Sequence, residues 1–298
     1  MQAKRLQIGG TIGIFCPSHV ANPERYAAQI AGIERMGFKV KFGENFYKDT
    51  WVYAASAQER ADDFNALIAD DSVEAVLFNG GNGAAEILPY IDYENIRRNP
   101  KRIGSYSDGT AILNAIHAQT GLVVYYGTAP ASFEDLRHYD YTQFCAHFVE
   151  GYSAERFEPN SERKTLHGGQ CEGVLIGGYT TLFALMIPNK YLSFKEQKYI
   201  LFLESHEKYG RIGMTAEELA FIEQTQFMSN VKGLVFGHYS VETPHDLLHC
   251  LERFGKRHSI PVLYTDDFGH GTRHGILPIG VKAKLDADNK CVSFYDYQ

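Results

Sequence analysis

The sequence predicts an α/β protein in which parallel strands alternate with helices. Apolar segments of strand length recur at residues 11–16, 38–42 and 73–78, and helical periodicity or a glycine-rich turn follows each of them. Between the second and third of these segments, Ser56 and Glu59 have the spacing of a capping box, which marks a helix start. Alternation of this kind is typical of a parallel sheet with helices on its faces.

The elements of the first part of the chain follow in a regular order. We predict strands at 11–16, 38–42 and 73–78, with a turn at 79–83 after the third. Helices are predicted at 23–36, ended by Gly37, from 57 and from 110. The helix from 57 places Ala61, Phe64, Leu67 and Ile68 inward. Ligands of such sheets gather at the carboxyl ends of the strands, so the turn at 79–83 and the turn before residue 110 are candidate positions for a site.

A change in composition follows Pro130. Residues 132–170 are rich in Tyr, His and acidic side chains and have poor periodicity, which indicates a linker that also covers the site. Apolar segments then resume, with strands predicted at 173–178, 199–204, 231–237 and 261–264, helices at 215–227 and 245–257, and alternating closing strands at 281–294. We therefore predict an N-terminal doubly wound domain (1–131), the linker (132–170), and a smaller C-terminal α/β domain (171–298).

Composition excludes several classes of protein. With 298 residues, 44% apolar and 22% charged, the chain is typical of globular proteins, and a net charge of −7 provides no basic surface for nucleic acid. No apolar run reaches the roughly 18–20 residues of a membrane span, and no signal-peptide core follows the N-terminus. Five scattered cysteines without a C-x-x-C pair favour reduced thiols. We expect a cytoplasmic protein without nucleic-acid or membrane partners.

The turn around Ser107 is the first candidate for chemistry. A short apolar segment leads into small residues at 104–109, and a helix start follows, which outlines a nucleophile elbow. Ser105 stands where the Gly-x-Ser-x-Gly pattern has its first glycine. From the pattern alone, a turn with a helix-capping serine is an equal alternative.

One serine, one carboxylate and one histidine each follow a different predicted strand: Ser107, Glu204 and His270. A serine nucleophile needs a base to take its proton, and the imidazole needs an acceptor to hold its tautomer. The three residue types in this order are compatible with a catalytic triad. Alternatively, the serine caps a helix, the glutamate forms an ion pair and the histidine lies in a polar loop.

The turn Asn79-Gly80-Gly81-Asn82-Gly83 allows three interpretations. It precedes a predicted helix start, where it could hold a phosphate, although it has neither the full G-x-G-x-x-G pattern nor a P-loop lysine. Its N–H groups could form half of an oxyanion hole. A tight turn that needs positive φ is the third.

A metal site is a weaker candidate. His245 and His249 lie four residues apart on a predicted helix, but no glutamate lies between them and no third ligand is evident. A solvated helix face explains this spacing better than a metal site does, and no cysteine has the surroundings of a thiol nucleophile.

With these residues identified, the sequence resembles the serine peptidase family of L,D-carboxypeptidases and microcin C immunity peptidases over nearly its whole length. The resemblance rests on residues 13–18, 58–61, 65–68, 80–81, 88–93, 99–101, 106–110, 176–178, 201–204, His270 and 277–280. It implies a two-domain α/β fold with the active site between the domains, a homodimer, and no metal or cofactor.

The resemblance also implies roles for individual residues. Ser107 is then the nucleophile, His270 the general base and Glu204 its orienting partner. The backbone N–H groups of Gly81 and Asp108 form the oxyanion hole, and Asn79, Asn82 and Tyr179 are the candidates for substrate binding.

Together these features predict a serine carboxypeptidase-like amide hydrolase that acts on a small peptide or a peptidyl-nucleotide. The alternative is a non-catalytic or altered-specificity member of the same fold that binds such a ligand. It rests on Ser105 and on Tyr179, which stands where the immunity branch usually has asparagine.

Overall fold

The computed structural model describes residues 1–196 and 198–295, which fall into two compact units. The first unit is Met1–Tyr152 and the second is Ser153–Gln298. The elements of the first unit are β1 (Thr11–Ile14), α1 (Pro23–Arg35), β2 (Lys39–Phe42), α2 (Ala57–Ala69), β3 (Val73–Leu77), α3 (Tyr93–Arg98), β4 (Arg102–Ser105), α4 (Thr110–Thr120), β5 (Val124–Tyr126) and α5 (His138–Phe148). Short 3₁₀ segments lie at Ala84–Tyr90, Ser107–Gly109 and Pro130–Phe133.

The strands of the first unit form a doubly wound parallel sheet, as the sequence predicts. Their order is β5-β4-β3-β1-β2, and the pairs β1–β2, β1–β3, β3–β4 and β4–β5 are all parallel. The chain moves outward from β1 to β2 and then returns to the other side of β1 with β3. The strand order therefore reverses between β1 and β3, and the loops that follow these two strands border the position where such sheets bind ligands.

Helix starts in the first unit follow the local sequence. The Asn22 side chain accepts a hydrogen bond from the Arg25 N–H, and Pro23 occupies the first helical position of α1. Ser56 and Glu59 form the predicted capping box of α2.

The core of the first unit is aromatic beneath the carboxyl ends of β1 and β3. Phe15 follows β1 and Phe78 follows β3, with ring centroids 4.9 Å apart. The Phe64 ring of α2 lies 5.2 Å from that of Phe15, and all three side chains are fully buried. This cluster fixes the strand ends from which the loops of the first unit begin.

The second unit contains a mixed sheet. Its elements are β6 (Lys164–His167), β7 (Gln170–Tyr179), α6 (Thr180–Met186), β8 (Tyr199–Glu204), α7 (Ile212–Glu223), β9 (Val231–His238), α8 (His245–His258), β10 (Val262–Gly269), β11 (Leu277–Ile279), β12 (Lys282–Asp286) and β13 (Cys291–Phe294). Within the described part of this unit, seven strands form one sheet in the order β13-β12-β7-β8-β9-β10-β6. Strands β7 to β10 are parallel, while β6, β12 and β13 pair antiparallel. The alternating tail thus forms the predicted closing strands.

The segment 132–170 differs from the prediction made from its poor periodicity. Residues 138–148 form α5 in the first unit, and residues 164–167 form β6 at the edge of the second sheet. The division between the units falls after Tyr152, and the two units are of similar length. That this segment covers a site stays a prediction.

A buried ion pair fastens part of this segment to the second sheet. Arg163 Nε donates to Asp267 Oδ2 at 3.0 Å, and the two side chains are 3% and 0% exposed. The other oxygen of Asp267 accepts the Asn160 N–H at 3.0 Å. Two further guanidinium N–H groups donate to the Lys290 and Phe157 carbonyls. Because both charges are removed from water, each depends on the other.

We expect Asp267→Ala to lower the free energy of unfolding by about 3–5 kcal/mol, because it leaves a buried guanidinium without its carboxylate. Urea denaturation followed by circular dichroism measures this change. The exposed pair Arg156–Glu158 provides the matched control, because its side chains are 59% and 51% exposed and Glu158→Ala is expected to cost less than about 1 kcal/mol. Equal effects of the two substitutions would contradict a special role for the buried pair.

Within residues 1–196 and 198–295, none of the helices combines the length and apolar character that a membrane span requires.

Candidate active site

Ser107 lies on a strained turn between a strand and a helix. β4 ends at Ser105, and the 3₁₀ segment Ser107–Gly109 leads directly into α4. Ser107 has a φ of +57°, which is uncommon for a residue with a side chain, and its N–H donates to the Tyr126 hydroxyl at 3.0 Å. A serine at positive φ between strand and helix has the backbone of a nucleophile elbow, as predicted.

The structure separates the two serines of this turn. Ser105 is fully buried, and its hydroxyl donates to the Phe78 carbonyl at 2.8 Å. A Cβ atom added to Gly109 would lie 2.2 Å from Ser105 Oγ, so the glycine accommodates the serine side chain. Ser107, in contrast, is partly exposed. The missing first glycine of the elbow is therefore compensated at Gly109, and Ser107 is the accessible hydroxyl.

The Gly80-Gly81 turn after β3 lies against this elbow. A Cβ atom on Gly80 would approach Ser107 Cβ to 2.7 Å, and one on Gly81 would approach Ser18 Oγ to 2.1 Å and the His19 ring to 2.7 Å. Both positions require glycine because of these close approaches. The backbone of the turn is thus held next to Ser107. The turn follows β3, so it borders the point where the strand order reverses between β1 and β3.

Asp108 connects the elbow to the same turn. Its buried carboxylate accepts the Ala84 N–H at 2.9 Å. Burial raises the pKa of the Asp108 carboxyl, and the Ala84 N–H, the charge of His19 and the Ser18 hydroxyl oppose this rise. The Asp108 side chain therefore holds the end of the glycine turn near the elbow. The backbone N–H of Asp108 directly follows Ser107 in the chain.

Asn79 holds the beginning of the glycine turn. Its Oδ1 accepts the Ala131 N–H at 2.9 Å, and its Nδ2 donates to Gln29 Oε1 at 3.0 Å. Asn79 thus has a positioning role that the sequence did not reveal. Asn82 is exposed, and substrate binding by Asn79 and Asn82 stays a prediction.

In the second unit, Glu204 and His270 form the predicted imidazole–carboxylate pair. Glu204 is the last residue of β8 and is fully buried, and His270 directly follows β10. The distance between His270 Nδ1 and Glu204 Oε2 is 2.8 Å, and the His270 side chain is 12% exposed. Since an ionised carboxylate only accepts hydrogen bonds, Nδ1 carries the hydrogen and Nε2 is the nitrogen that can take a proton.

Two glycines lie against the side chain of Glu204. A Cβ atom on Gly269 would lie 3.1 Å from Glu204 Oε2, and one on Gly237 would lie 2.9 Å from Glu204 Cβ. Gly269 also has a φ of +107°, which turns the chain immediately before His270. The pair is held by its surroundings as well as by its own hydrogen bond.

Three aromatic rings of the second unit surround His270. The ring centroids of Tyr179, Tyr209 and His206 lie 5.3, 5.6 and 5.8 Å from that of His270. Burial raises the pKa of Tyr179 to about 12, with Glu204 and Glu218 contributing, so its hydroxyl keeps its proton at neutral pH. Tyr179, a predicted substrate ligand, is thus a neighbour of His270.

The other chemical candidates from the sequence lack comparable support. His249 is 68% exposed and lies 3.5 Å from Glu252, its neighbour on α8. In the part of the chain that the structure describes, no group of three or more His, Cys, Asp or Glu side chains could hold a metal ion. All five cysteines are free, and burial raises the pKa of the Cys16 thiol to about 12, which disfavours a thiolate.

Comparison with known proteins assigns the chain to a family. The N-terminal domain of the LD-carboxypeptidases, peptidase family S66, matches residues 12–127, and the C-terminal domain of the same family matches residues 172–285. The chain belongs to peptidase family S66. The resemblance seen in the sequence is therefore confirmed, and so is the two-domain α/β fold.

Relatives within family S66 include proteins of two kinds. The microcin C7 self-immunity protein MccF of Escherichia coli is 28% identical, with 98% of this chain and 94% of that protein covered. A Bacillus subtilis protein named "Probable murein peptide carboxypeptidase" is 26% identical, with 96% and 92% covered.

Solved structures of the family have the same fold. An MccF-like protein from Bacillus anthracis matches with a TM-score of 0.89 at 26% identity, and each chain is covered completely. MccF in complex with glutamyl sulfamoyl guanosine matches with a TM-score of 0.86 at 25% identity, covering 99% of this chain and 98% of that one.

Two histidines near the candidate site were not selected from the sequence. His19 is exposed beside Gly81, and His206 is buried beside His270. Each follows a strand end by a few residues, at the edge where sites form, and that position was the available signal. Neither belongs to a motif, so the pattern alone did not select it.

Proposed function

We propose that this family S66 protein is a serine carboxypeptidase-like amide hydrolase that works through an acyl-enzyme. The contact between His270 Nδ1 and the buried Glu204 carboxylate supports this proposal most strongly, because it leaves Nε2 as the proton acceptor. Ser107 is the proposed nucleophile, and its positive φ fits that role.

In the proposed reaction, Ser107 Oγ attacks the carbonyl carbon of the scissile amide while His270 Nε2 takes the hydroxyl proton. The N–H groups of Gly81 and Asp108 stabilise the negative oxygen that develops. The C–N bond then breaks as His270 returns the proton to the leaving nitrogen. A water molecule, deprotonated by His270, attacks the acyl-enzyme, and the acid product leaves with Ser107 restored.

The proposed substrates are a small peptide or a peptidyl-nucleotide. The relatives support both, since one is named for murein peptides and MccF was solved with an aminoacyl sulfamoyl nucleoside. Asn79, Asn82 and Tyr179 are proposed to contribute to substrate binding. The proposal requires no metal or cofactor. It also includes a cytoplasmic location and a homodimer, and light scattering tests the homodimer.

We expect the purified protein to react with a fluorophosphonate probe at Ser107 and to cleave at least one of two substrates presented in parallel. These are a murein tetrapeptide and aspartyl sulfamoyl adenosine, with products followed by mass spectrometry. Activity should be unchanged in a metal chelator, which separates this mechanism from hydrolysis through His245 and His249. If the probe does not label Ser107 and an intact ligand is recovered from the protein, the binding-protein alternative replaces the proposal.

A further inference from the structure

His206 places a second imidazole next to the proposed base. It lies two residues after Glu204, is 9% exposed, and its ring centroid lies 5.8 Å from that of His270. The mechanism proposed above does not use this side chain. Its position on the same strand end as Glu204 places it among the neighbours of the reacting groups in the second unit.

One hydrogen bond fixes the tautomer of His206. The backbone N–H of Lys208 donates to His206 Nδ1 at 3.1 Å, so the hydrogen of the neutral ring is on Nε2. Burial lowers the pKa of His206, and the charges of His270 and His238 lower it further, which favours the neutral ring. Across residues 1–196 and 198–295, the structure gives the Nε2–H of this ring no hydrogen-bond acceptor.

The ring of His206 is largely buried, but its Nε2 atom is not among the buried atoms without a partner, so the N–H reaches solvent and a ligand can supply its acceptor. A hydrogen bond from this N–H to an ionised acceptor contributes about 1.5–3 kcal/mol. The ring is already fixed by the Lys208 N–H, so binding costs little side-chain entropy. The exposed Lys208 side chain places a positive charge on the same turn beside the negative charge of Glu207, so the charges of this turn balance and it does not repel an anionic ligand.

The chemistry of carboxypeptidases identifies the anion that comes closest to the base. His270 returns a proton to the leaving nitrogen, and the carboxylate carbon of a C-terminal residue lies two bonds, about 2.5 Å, from that nitrogen. His270 and the group that binds the carboxylate each form a hydrogen bond of about 2.9 Å to the substrate. The group that binds the carboxylate must therefore be an immediate neighbour of His270.

Among the three rings around His270, His206 best meets the requirements for this receptor. The Tyr179 hydroxyl is already hydrogen-bonded to Thr181 and Ser205. Tyr209 is 64% exposed and would have to be immobilised by the ligand. His206 combines a fixed ring with an unused N–H.

We propose that the Nε2–H of His206 binds the C-terminal carboxylate of the residue that leaves. This inference rests on the proposed amide hydrolysis and makes His206 a specificity-determining residue for substrates with a free C-terminal carboxylate. The same peptide with a C-terminal amide lacks the anion and gains nothing from His206.

Two substitutions at this position separate recognition from structure. In His206→Asn, the side-chain oxygen can accept the Lys208 N–H in place of Nδ1, but the Nε2 donor is lost. In His206→Gln, the amide nitrogen reaches roughly the position of Nε2, so the donor is restored in part. His249→Asn on the exposed face of α8 is the control.

We expect His206→Asn to lower kcat/KM for the free-acid peptide roughly 10- to 100-fold, the equivalent of one charge-assisted hydrogen bond. For the C-terminal amide of the same peptide, the change should be less than about threefold. His206→Gln should recover part of the loss on the acid, and His249→Asn should leave the acid-to-amide ratio unchanged. Circular dichroism checks that each variant is folded.

Equal losses on acid and amide, or full activity of His206→Asn on the acid, would overturn the inference. If the wild-type protein cleaves the acid and Ser107→Ala abolishes cleavage, such a result rejects the role of His206 alone. If the wild-type protein cleaves neither peptide, the proposed function fails and the inference with it. NMR of the wild-type protein provides a test without variants. The signal of the His206 ring should shift when the free amino-acid product is added and should not shift when its amide is added.

Discussion

Replacing Ser107 by alanine is expected to lower kcat by about 10⁴- to 10⁶-fold while the protein stays folded. The hydroxyl is the atom that forms the acyl-enzyme, and no other group replaces it when it is removed. The partly exposed side chain contributes little packing, so the midpoint of urea unfolding should change little. Single-turnover cleavage of the murein tetrapeptide or the aminoacyl nucleoside, whichever the wild type accepts, measures the loss.

Ser105→Ala is the matched control for this experiment. It removes a hydroxyl of the same turn, but that hydroxyl is buried and donates to the Phe78 carbonyl. We expect a loss of about 1 kcal/mol in the free energy of unfolding, with kcat within roughly tenfold of wild type. Cleavage at the parent rate by Ser107→Ala, or its abolition by Ser105→Ala alone, would show that the nucleophile has been assigned to the wrong residue.

Much of the fold could be predicted because its signals are local. The capping box at Ser56 and Glu59 and the apolar strand at 73–77 depend on neighbouring residues, and both occur as expected. The helix at 138–148 was missed because its buried face combines the apolar residues Phe144, Cys145 and Phe148 with polar ones. The polar residues are Asp140, Gln143 and His147, and they obscure the apolar periodicity. The predicted strand at 261–264 continues to Gly269, which pairs with His238 of β9, a partner that is remote in sequence.

The candidate site was predictable to the extent that sites occur at strand ends. Glu204 and His270 could be selected as strand-end residues, and the structure brings them to 2.8 Å. The tautomer of His206 could not be predicted, because it depends on the backbone N–H of Lys208 in a particular turn. The compensation of Ser105 by Gly109 likewise depends on a close approach of atoms that no residue pattern encodes.

The second large effect is expected for Glu204→Gln, which should lower kcat by about 10³- to 10⁴-fold with little change in KM. The glutamine keeps the shape of the side chain, and the side chain remains enclosed by Gly237 and Gly269. The negative charge that stabilises the imidazolium of His270 is lost, however, and an amide N–H facing Nδ1 would select the wrong tautomer. The hydrogen would then be on Nε2, and that nitrogen could not take the proton of the nucleophile.

Kinetic and labelling measurements together distinguish this effect from damage to the fold. The rate of fluorophosphonate labelling at Ser107 should fall in parallel with kcat, since both require proton removal by His270. Glu207→Gln, on the exposed part of the same turn, should change neither rate. Glutamine has nearly the same shape as the buried Glu204 side chain and can still form a hydrogen bond to the His270 ring, so stability should fall by no more than about 1–3 kcal/mol. If Glu204→Gln retained kcat within about threefold, the carboxylate would have no orienting role, and His270 would have to be held by its aromatic neighbours alone.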